Sequence, residues 1–306
     1  MVYTIGESVL DIIIKDFDDV KIRPGGSMLN TAISLGRLGV EVSHISYLSK
    51  DISSEKLLDF LHKNKVDTSF ISQKAEKTNL ALAYLDTNNN ASYTFYKEKK
   101  DVEISFNFPK IKKGDYILFG SFFCLNSDYR DSIVQFLGIA KSKGAIIMYD
   151  PNYRKAHLSE LQNVKQYIIE NLEFADIVKA SDEDLLNLFE IKTGKEAYRF
   201  LQQYKIKTLL YTRGEKSSQA FVNDQEFEAL ASEVHTISTI GAGDTFSAGV
   251  LYSLVNQNES IDNFKHCKMI KWVDILKLAN LFAGQVCASY DNYLNESFIQ
   301  NLKNVQ

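Results

Sequence analysis

Thr239-Ile240-Gly241-Ala242-Gly243-Asp244-Thr245-Phe246-Ser247-Ala248-Gly249 is the stretch on which the reading of this chain turns. Gly241, Ala242 and Gly243 form a small-residue turn that leads straight into an apolar helical pattern through Phe246, Val250 and Leu254. A helix N-terminus leaves backbone N–H groups unpaired and carries partial positive charge. Glycines there let an anion come close to the main chain. Asp244, in the first turn, stands where a general base would sit beside that anion. An anion hole plus a base is the equipment of phosphoryl transfer. The same letters also suit a plain tight loop before a helix, with Asp244 as a favourable first-turn acid. The stretch is neither a Walker A loop, which needs Gly-Lys-Ser/Thr, nor a Rossmann fingerprint, which opens the first βα turn.

Working outward, short strand-like runs alternate with longer helical ones. Val2–Ile5, Val42–Leu48, Tyr116–Phe119, Ala145–Met148, Ile177–Val178 and Thr208–Tyr211 read as buried strands. Met28–Leu38, Ser53–Lys63, Asp128–Lys143, Leu158–Leu172 and Asp182–Phe189 read as helices, as do segments near Ala242–Asn256, Trp272–Ser289 and Glu296–Lys303. Such alternation predicts a mostly parallel sheet covered on both faces. Leu10–Lys15 and Asn79–Tyr96 break the rhythm. In the second, Leu80–Leu85 and Ser92–Tyr96 flank Asp86-Thr87-Asn88-Asn89-Asn90-Ala91, a strong turn signal, so a hairpin is inserted in the α/β unit as a candidate lid. No internal repeat or linker divides the 306 residues, which read as a single domain over 1–306.

With 45% hydrophobic and 24% charged residues, the chain can fill a core and is not disordered. A net charge of −4 gives no basic face for nucleic acid; the run Lys110-Ile111-Lys112-Lys113 reads as solvated. Cys124, Cys267 and Cys287 have neither metal-ligand nor redox spacing, and so sparse a set favours a reducing compartment. The N-terminus lacks a signal-peptide pattern and no apolar run is long enough for a membrane span. A cytoplasmic protein with no membrane partner is expected.

Three further groups carry chemistry. Pro24-Gly25-Gly26-Ser27-Met28-Leu29-Asn30 precedes a helix; its glycines bring backbone N–H groups near a ligand, and Asn30 can donate to and accept from hydroxyls. It also suits a loop capped by Ser27. Asp11, after Gly6-Glu7-Ser8-Val9-Leu10, is a lone acid beside an apolar run, equally at home on a strand edge. Asp150-Pro151-Asn152-Tyr153-Arg154 ends a central strand, where open α/β sheets bind ligands, and Arg154 can clamp a phosphate or carboxylate.

At these residues the sequence closely resembles the ribokinase-like (PfkB) carbohydrate kinases. Gly25–Asn30 resembles that family's first signature and Ile240–Gly249 its second, in the right order and roughly the right separation, and the likeness runs from Gly6 to about Ser289. The resemblance implies a three-layer α/β/α sandwich with a small β-lid, its strands drawn from about 10–22 and 79–97. It implies transfer of the γ-phosphoryl group of ATP, with Mg2+, to a sugar hydroxyl. It places Asp11, Gly25, Gly26 and Asn30 on the sugar, Gly241, Ala242 and Gly243 in the anion hole, and Asp244 as the base. Thr212-Arg213-Gly214 matches a loop beside the nucleotide, and Asn280 a residue beside adenine. Ser181-Asp182-Glu183-Asp184 stands where the family has Asn-x-x-Glu, which organises magnesium and phosphate; several fructokinase-like members also carry Ser there. The shorter Asp184 would reach a metal through water. Where the family has Asp-Thr-Thr before the anion hole this chain has Ser238-Thr239-Ile240, which predicts little activation by a monovalent cation.

Tyr93–Lys97 and Asp150–Arg154 resemble the fructokinase and 2-keto-3-deoxygluconate kinase branches more than ribokinase or adenosine kinase. Fructose ranks first, a ketodeoxy sugar acid second, and a nucleoside is a third option. A catalytically silent sugar-binding regulator on the same fold would be expected to lose Asp244 or the glycines, and both are present. An exposed lid sheet with one apolar face also predicts a homodimer.

Overall fold

The computed structural model describes residues 1–75, 77–87, 89–97, 104–257 and 271–305; Asn88 of the turn and Cys267 lie outside them. In chain order the strands are β1 (Val2–Ile5), β2 (Val9–Asp16), β3 (Asp19–Gly25), β4 (Val42–Ser49), β5 (Val66–Asp67), β6 (Ile71–Ala75), β7 (Leu80–Leu85), β8 (Ala91–Tyr96), β9 (Tyr116–Gly120), β10 (Ile146–Asp150), β11 (Ile177–Ser181), β12 (Thr208–Thr212), β13 (Ser217–Val222) and β14 (Gln225–Leu230). The helices are α1 (Ser27–Arg37), α2 (Ile52–Lys63), α3 (Arg130–Ser142), α4 (Leu161–Phe174), α5 (Asp182–Phe189), α6 (Gly194–Gln202), α7 (Ala242–Asn256), α8 (Trp272–Cys287) and α9 (Glu296–Val305).

A large sheet runs β14-β13-β12-β11-β10-β9-β1-β4-β5, with β6 beside β4. It is parallel from β12 to β5 and antiparallel only in the β12-β13-β14 ribbon. The central strands are apolar throughout because both faces are covered. Side-chain alternation sends Val2, Leu118, Ile146 and Met148 to one face, beneath α1, α2, α7 and α8. Tyr3, Ile5, Ile117, Phe119 and Ile147 go to the other, against α3, α4, α5 and α6. The result is the expected α/β/α sandwich.

The second sheet, β3-β2-β7-β8, is built from the segments expected to form the lid, and is termed the lid sheet, or lid. Its register gives it two unlike faces. Asp11, Ala81 and Phe95 align across three strands on the inner face, as do Ile13, Ala83 and Tyr93. Ile12, Ile14, Ile22, Leu82 and Tyr84 occupy the outer one. The lid is docked on the sandwich: Lys97 pairs with Glu7 at 3.1 Å, Arg23 with Asp291 at 2.9 Å, and Asn89 donates to the Thr236 carbonyl at 3.0 Å.

Three segments differ from the sequence reading. The helix expected over Leu158–Leu172 begins as a 3-10 turn, Lys155–Glu160, and becomes α-helical at Leu161, a common way for a helix to start. Helix α6 was not anticipated, although Thr193 and Glu196 close a capping box at its start. The β13-β14 ribbon was missed as well, because its outer positions carry Gln219, Glu226 and Glu228 rather than an apolar run. Among the described residues no helix is long and apolar enough to cross a membrane.

Candidate active site

Two chambers open at the C-terminal ends of the parallel strands, where α/β sheets bind ligands. The smaller lies beneath the lid and is walled by Glu7, Asp11, Gly26, Asn30, Phe95 and His157 among others. The larger, about 770 Å³, runs past Lys179, Ser181, Asp184, Thr212, Gly214, Ala242 and Gly243 to Asn280. Tyr93, Asn152, Arg154, Ile240, Gly241 and Asp244 border both.

Asp244 stands at that junction, in the first turn of α7, and is buried. The Ser27 hydroxyl donates to its Oδ1 at 2.6 Å and Asn30 Nδ2 donates to its Oδ2 at 2.8 Å. Asn152 Nδ2 approaches Oδ1 at 3.5 Å, from a backbone held at a φ of 39°. The left-handed region is uncommon for a residue with a side chain, and such strain concentrates at functional sites. Thr31 Oγ1 donates to the Asp244 carbonyl at 2.9 Å, so α1 and α7 are fastened where the carboxylate is held. The Asn30 Oδ1, buried beside the smaller chamber, has no hydrogen-bond partner among the described residues and can accept from a ligand.

Ser27 is not a helix cap. Gly26 takes the N-cap position of α1 at a φ of 119°, and an added Cβ would lie 2.0 Å from the Glu7 carbonyl oxygen. Only glycine fits there. Ser27 is thereby released to bind Asp244. Gly25 lies against the Asp11 carboxylate, in register with Val9 of the lid.

Asp11 projects from β2 into the smaller chamber and accepts from Asn292 Nδ2 at 2.6 Å. Burial, and then the negative charge of Asp244, push its carboxyl up to about 7. An apolar wall completes the chamber: the His157 ring is stacked between Phe122 at 4.0 Å and Phe95 of the lid at 5.1 Å. Burial lowers the His157 pKa, which keeps the ring neutral. The Arg154 guanidinium lies 5.3 Å from the centre of the Tyr93 ring.

In the larger chamber, Ser181 caps α5 and its side chain accepts from Asp184 N at 3.0 Å. Asp184 returns the bond to Ser181 N at 3.0 Å and also accepts from Tyr153 N at 2.9 Å. Both of its oxygens are therefore engaged with the main chain. Among the described residues no group of three or more His, Cys, Asp or Glu side chains is arranged to hold a metal. A cation here would be held through water rather than caged by carboxylates. Asn280 Nδ2 donates to the Ala229 and Leu230 carbonyls at 3.1 and 2.8 Å, pinning β14 to α8 at the chamber's far end. Thr212 ends β12, and Gly214 turns the following loop at a φ of 55°.

The sequence reading did not single out Glu7, Asn152, His157, Lys179 or Asn292. Asn152 lay within a quoted motif, but its backbone strain has no one-letter signature. Chemically, the junction offers a fixed carboxylate facing one chamber beside a helix N-terminus facing the other. Such an arrangement can take a proton on one side while holding an anion on the other.

Residues 1–295 match the pfkB family carbohydrate kinase profile. A probable fructokinase-2 from Arabidopsis thaliana is 26% identical over 283 residues, covering 88% of this chain and 86% of that protein. A fructokinase from Vibrio alginolyticus is 27% identical over 256 residues, covering 83% of each. Among solved structures, a Vibrio cholerae O395 fructokinase bound to fructose, ADP and calcium superposes with a TM-score of 0.85 at 22% identity, over 98% of this chain and 97% of that one. Salmonella enterica aminoimidazole riboside kinase, with its riboside and an ATP analogue, gives 0.82 at 20% identity, over 99% and 98%. These likenesses show the fold.

Proposed function

Because the chain belongs to the pfkB family of carbohydrate kinases, we propose that it transfers the γ-phosphoryl group of ATP to a sugar hydroxyl, with fructose the preferred acceptor. The observation that carries this reading is the position of Asp244 on the border between two chambers. Sugar occupies the smaller one, held by Asp11, Asn30 and the Gly25-Gly26 turn. ATP occupies the larger, with adenine towards Asn280 and its phosphates past Thr212, Gly214 and Ser181. Asp244 takes the hydroxyl proton as the sugar oxygen attacks the γ-phosphorus. The new O–P bond forms, the bond to the β,γ-bridging oxygen breaks, and its electron pair leaves with ADP. The N–H groups of Gly241, Ala242 and Gly243 receive the charge on the moving group. Asp184 would hold, through water, a magnesium ion brought by the phosphates, and that ion would supply neutralisation of phosphate charge.

The test is product formation with fructose, 2-keto-3-deoxygluconate, ribose and nucleosides under ATP and magnesium. Fructose should give the highest kcat/KM; a nucleoside ahead of every sugar overturns the assignment. The ketodeoxy acid is the second reading, favoured by Arg154 at the chamber border. Replacing sodium by potassium should change the rate little. Ile240 supports this, since it packs with Ile13 and Ala83 in an apolar cluster where cation-activated relatives present oxygen.

Sugar affinity should follow the ionisation of Asp11. A raised carboxyl pKa means that the empty protein is most stable below about pH 4 as far as this group is concerned, and loses that contribution as pH rises through about 7. A sugar hydroxyl donates most strongly to the ionised form, because a protonated carboxyl accepts only as a neutral group. The sugar KM should therefore fall between pH 6 and pH 8, by at most about ninefold, as the ionised fraction climbs from about 0.1 to 0.9. Asp11→Asn should bind sugar weakly with a flat profile, and a steep profile in that variant would remove Asp11 from the explanation.

The lid's outer face supports a homodimer. Val20, Ile22, Tyr84 and Tyr96 are exposed there, an apolar sheet face suited to its twin. Light scattering should give twice 34.8 kDa, and Ile22→Lys should give the monomer. A monomeric wild type ends the proposal. The proposed compartment is the cytoplasm, where ATP is plentiful and the free thiols Cys124 and Cys287 stay reduced.

A further inference from the structure

A second cation stands beneath the anion hole. Lys179 is the third residue of β11, next to the C-terminal end of β10, and only 4% of it is exposed. Its Nζ lies 3.0 Å from Asp150 Oδ2, and it borders the larger chamber. A Cβ added to Gly243 would fall 2.9 Å from this nitrogen. Gly243 of the Gly241-Ala242-Gly243 turn thus lies directly against the lysine head group.

Three features make this more than a structural ion pair. An ammonium at the N-terminus of α7 has the wrong sign for helix stability, since cations are favoured at the opposite end. An ammonium has three N–H donors, and Asp150 is its one hydrogen-bond partner among the described residues. Among the described residues the buried Asp150 Oδ1 has no hydrogen-bond partner, so the pair is incomplete by itself, and buried pairs seldom add stability over apolar substitutes. Burial works against the charge on Lys179, but Asp150 and Asp184 raise its pKa and keep it protonated. What would satisfy all three features is a multiply charged anion beside Gly243.

We propose that Lys179 is a catalytic residue that donates directly to the phosphoryl group in transit, completing the anion hole from the sheet side, with Asp150 as the positioning residue that aims it. This rests on the kinase reading. The lysine transfers no proton; it meets the negative charge of the equatorial oxygens while Asp244 takes the proton from the sugar.

The experiment measures kcat, sugar KM and melting temperature for wild type, Lys179→Met, Lys179→Arg and the double variant Lys179→Met/Asp150→Asn. Lys179→Met should lower kcat about 10²–10³-fold, the usual effect of losing one oxyanion donor, with sugar KM within about threefold of wild type. Lys179→Arg should recover a measurable part of the loss. The double variant leaves no unpaired buried charge, so it folds even if Lys179→Met does not, and its kcat should remain low. A folded single or double variant with kcat within about threefold of wild type overturns the proposal, whatever its melting temperature. A wild type inert towards every sugar and nucleoside would instead indict the kinase reading, so the two failures are distinguishable.

Discussion

Asp244→Asn should cut turnover by about 10²–10⁴-fold, the range contributed by a general base, while the protein melts close to wild type. The fold should survive because both hydrogen bonds can be kept. Asn30 Nδ2 must donate, so the new amide oxygen faces it, and the new amide nitrogen faces the Ser27 hydroxyl, which can turn to accept. Only the capacity to take a proton is lost, together with a negative charge at the start of α7. Sugar-dependent ADP release and a thermal melt measure the two effects separately. If Asp244→Asn keeps kcat within about threefold of wild type, the base lies elsewhere.

Gly241→Ala should harm both stability and activity. Gly241 has a φ of 80°, and a Cβ there would meet the Asn292 carbonyl oxygen at 2.1 Å and its carbon at 2.6 Å. Backbone cannot yield as a flexible side chain can. A strained left-handed residue and an overpacked contact each cost about 1–3 kcal/mol, so a loss of about 2–6 kcal/mol is expected. Asn292 also holds Asp11, at 2.6 Å, so its displacement should raise the sugar KM as well as lower kcat. Gly39→Ala is the control. Gly39 has a similar φ of 85° but nothing within 4 Å of the added carbon, so it should lose only about 1 kcal/mol and keep wild-type turnover. Equal losses from the two substitutions would show that backbone strain alone, and not the contact with Asn292, sets the penalty.

The sandwich was legible wherever strands are buried on both faces, as Tyr116–Gly120 and Ile146–Asp150 are, since such runs have a composition of their own. The β13-β14 ribbon was not, because one of its faces is polar and its strands read as surface. Its turn did carry a signal: Asn223 and Asp224 both have positive φ, 44° and 67°, the pairing that a two-residue hairpin loop prefers. At the site, the motifs that bend the backbone announce themselves through glycine. Lys179 and Asn292 do not, because a lysine in the middle of a short strand and an asparagine beyond a helix look ordinary until the sheet register and the return of the chain bring them to Gly243 and Asp11. The alternative of a capping Ser27 falls for a related reason: a serine before a helix looks like a cap, and only the φ of Gly26 shows that the cap lies one residue earlier.

The lid is assembled from two excursions of the chain, one between β1 and α1 and one between β6 and β9, whereas Asp244 and the anion hole belong to the sandwich. The roof of the smaller chamber and the turn that carries Asp244 therefore lie on different stretches of polypeptide. Substitutions in β2, β3, β7 and β8 can reshape the chamber under the lid without touching the packing of α7 against α1 and α8. A lineage can drift from one small hydroxylated acceptor to another through the excursions, while selection on the transfer step constrains the sandwich. The same partition gives laboratory evolution a plan for redirecting this kinase: randomise the inner face of the lid at Ala81, Ala83, Tyr93 and Phe95, and leave the residues after Ser238 untouched.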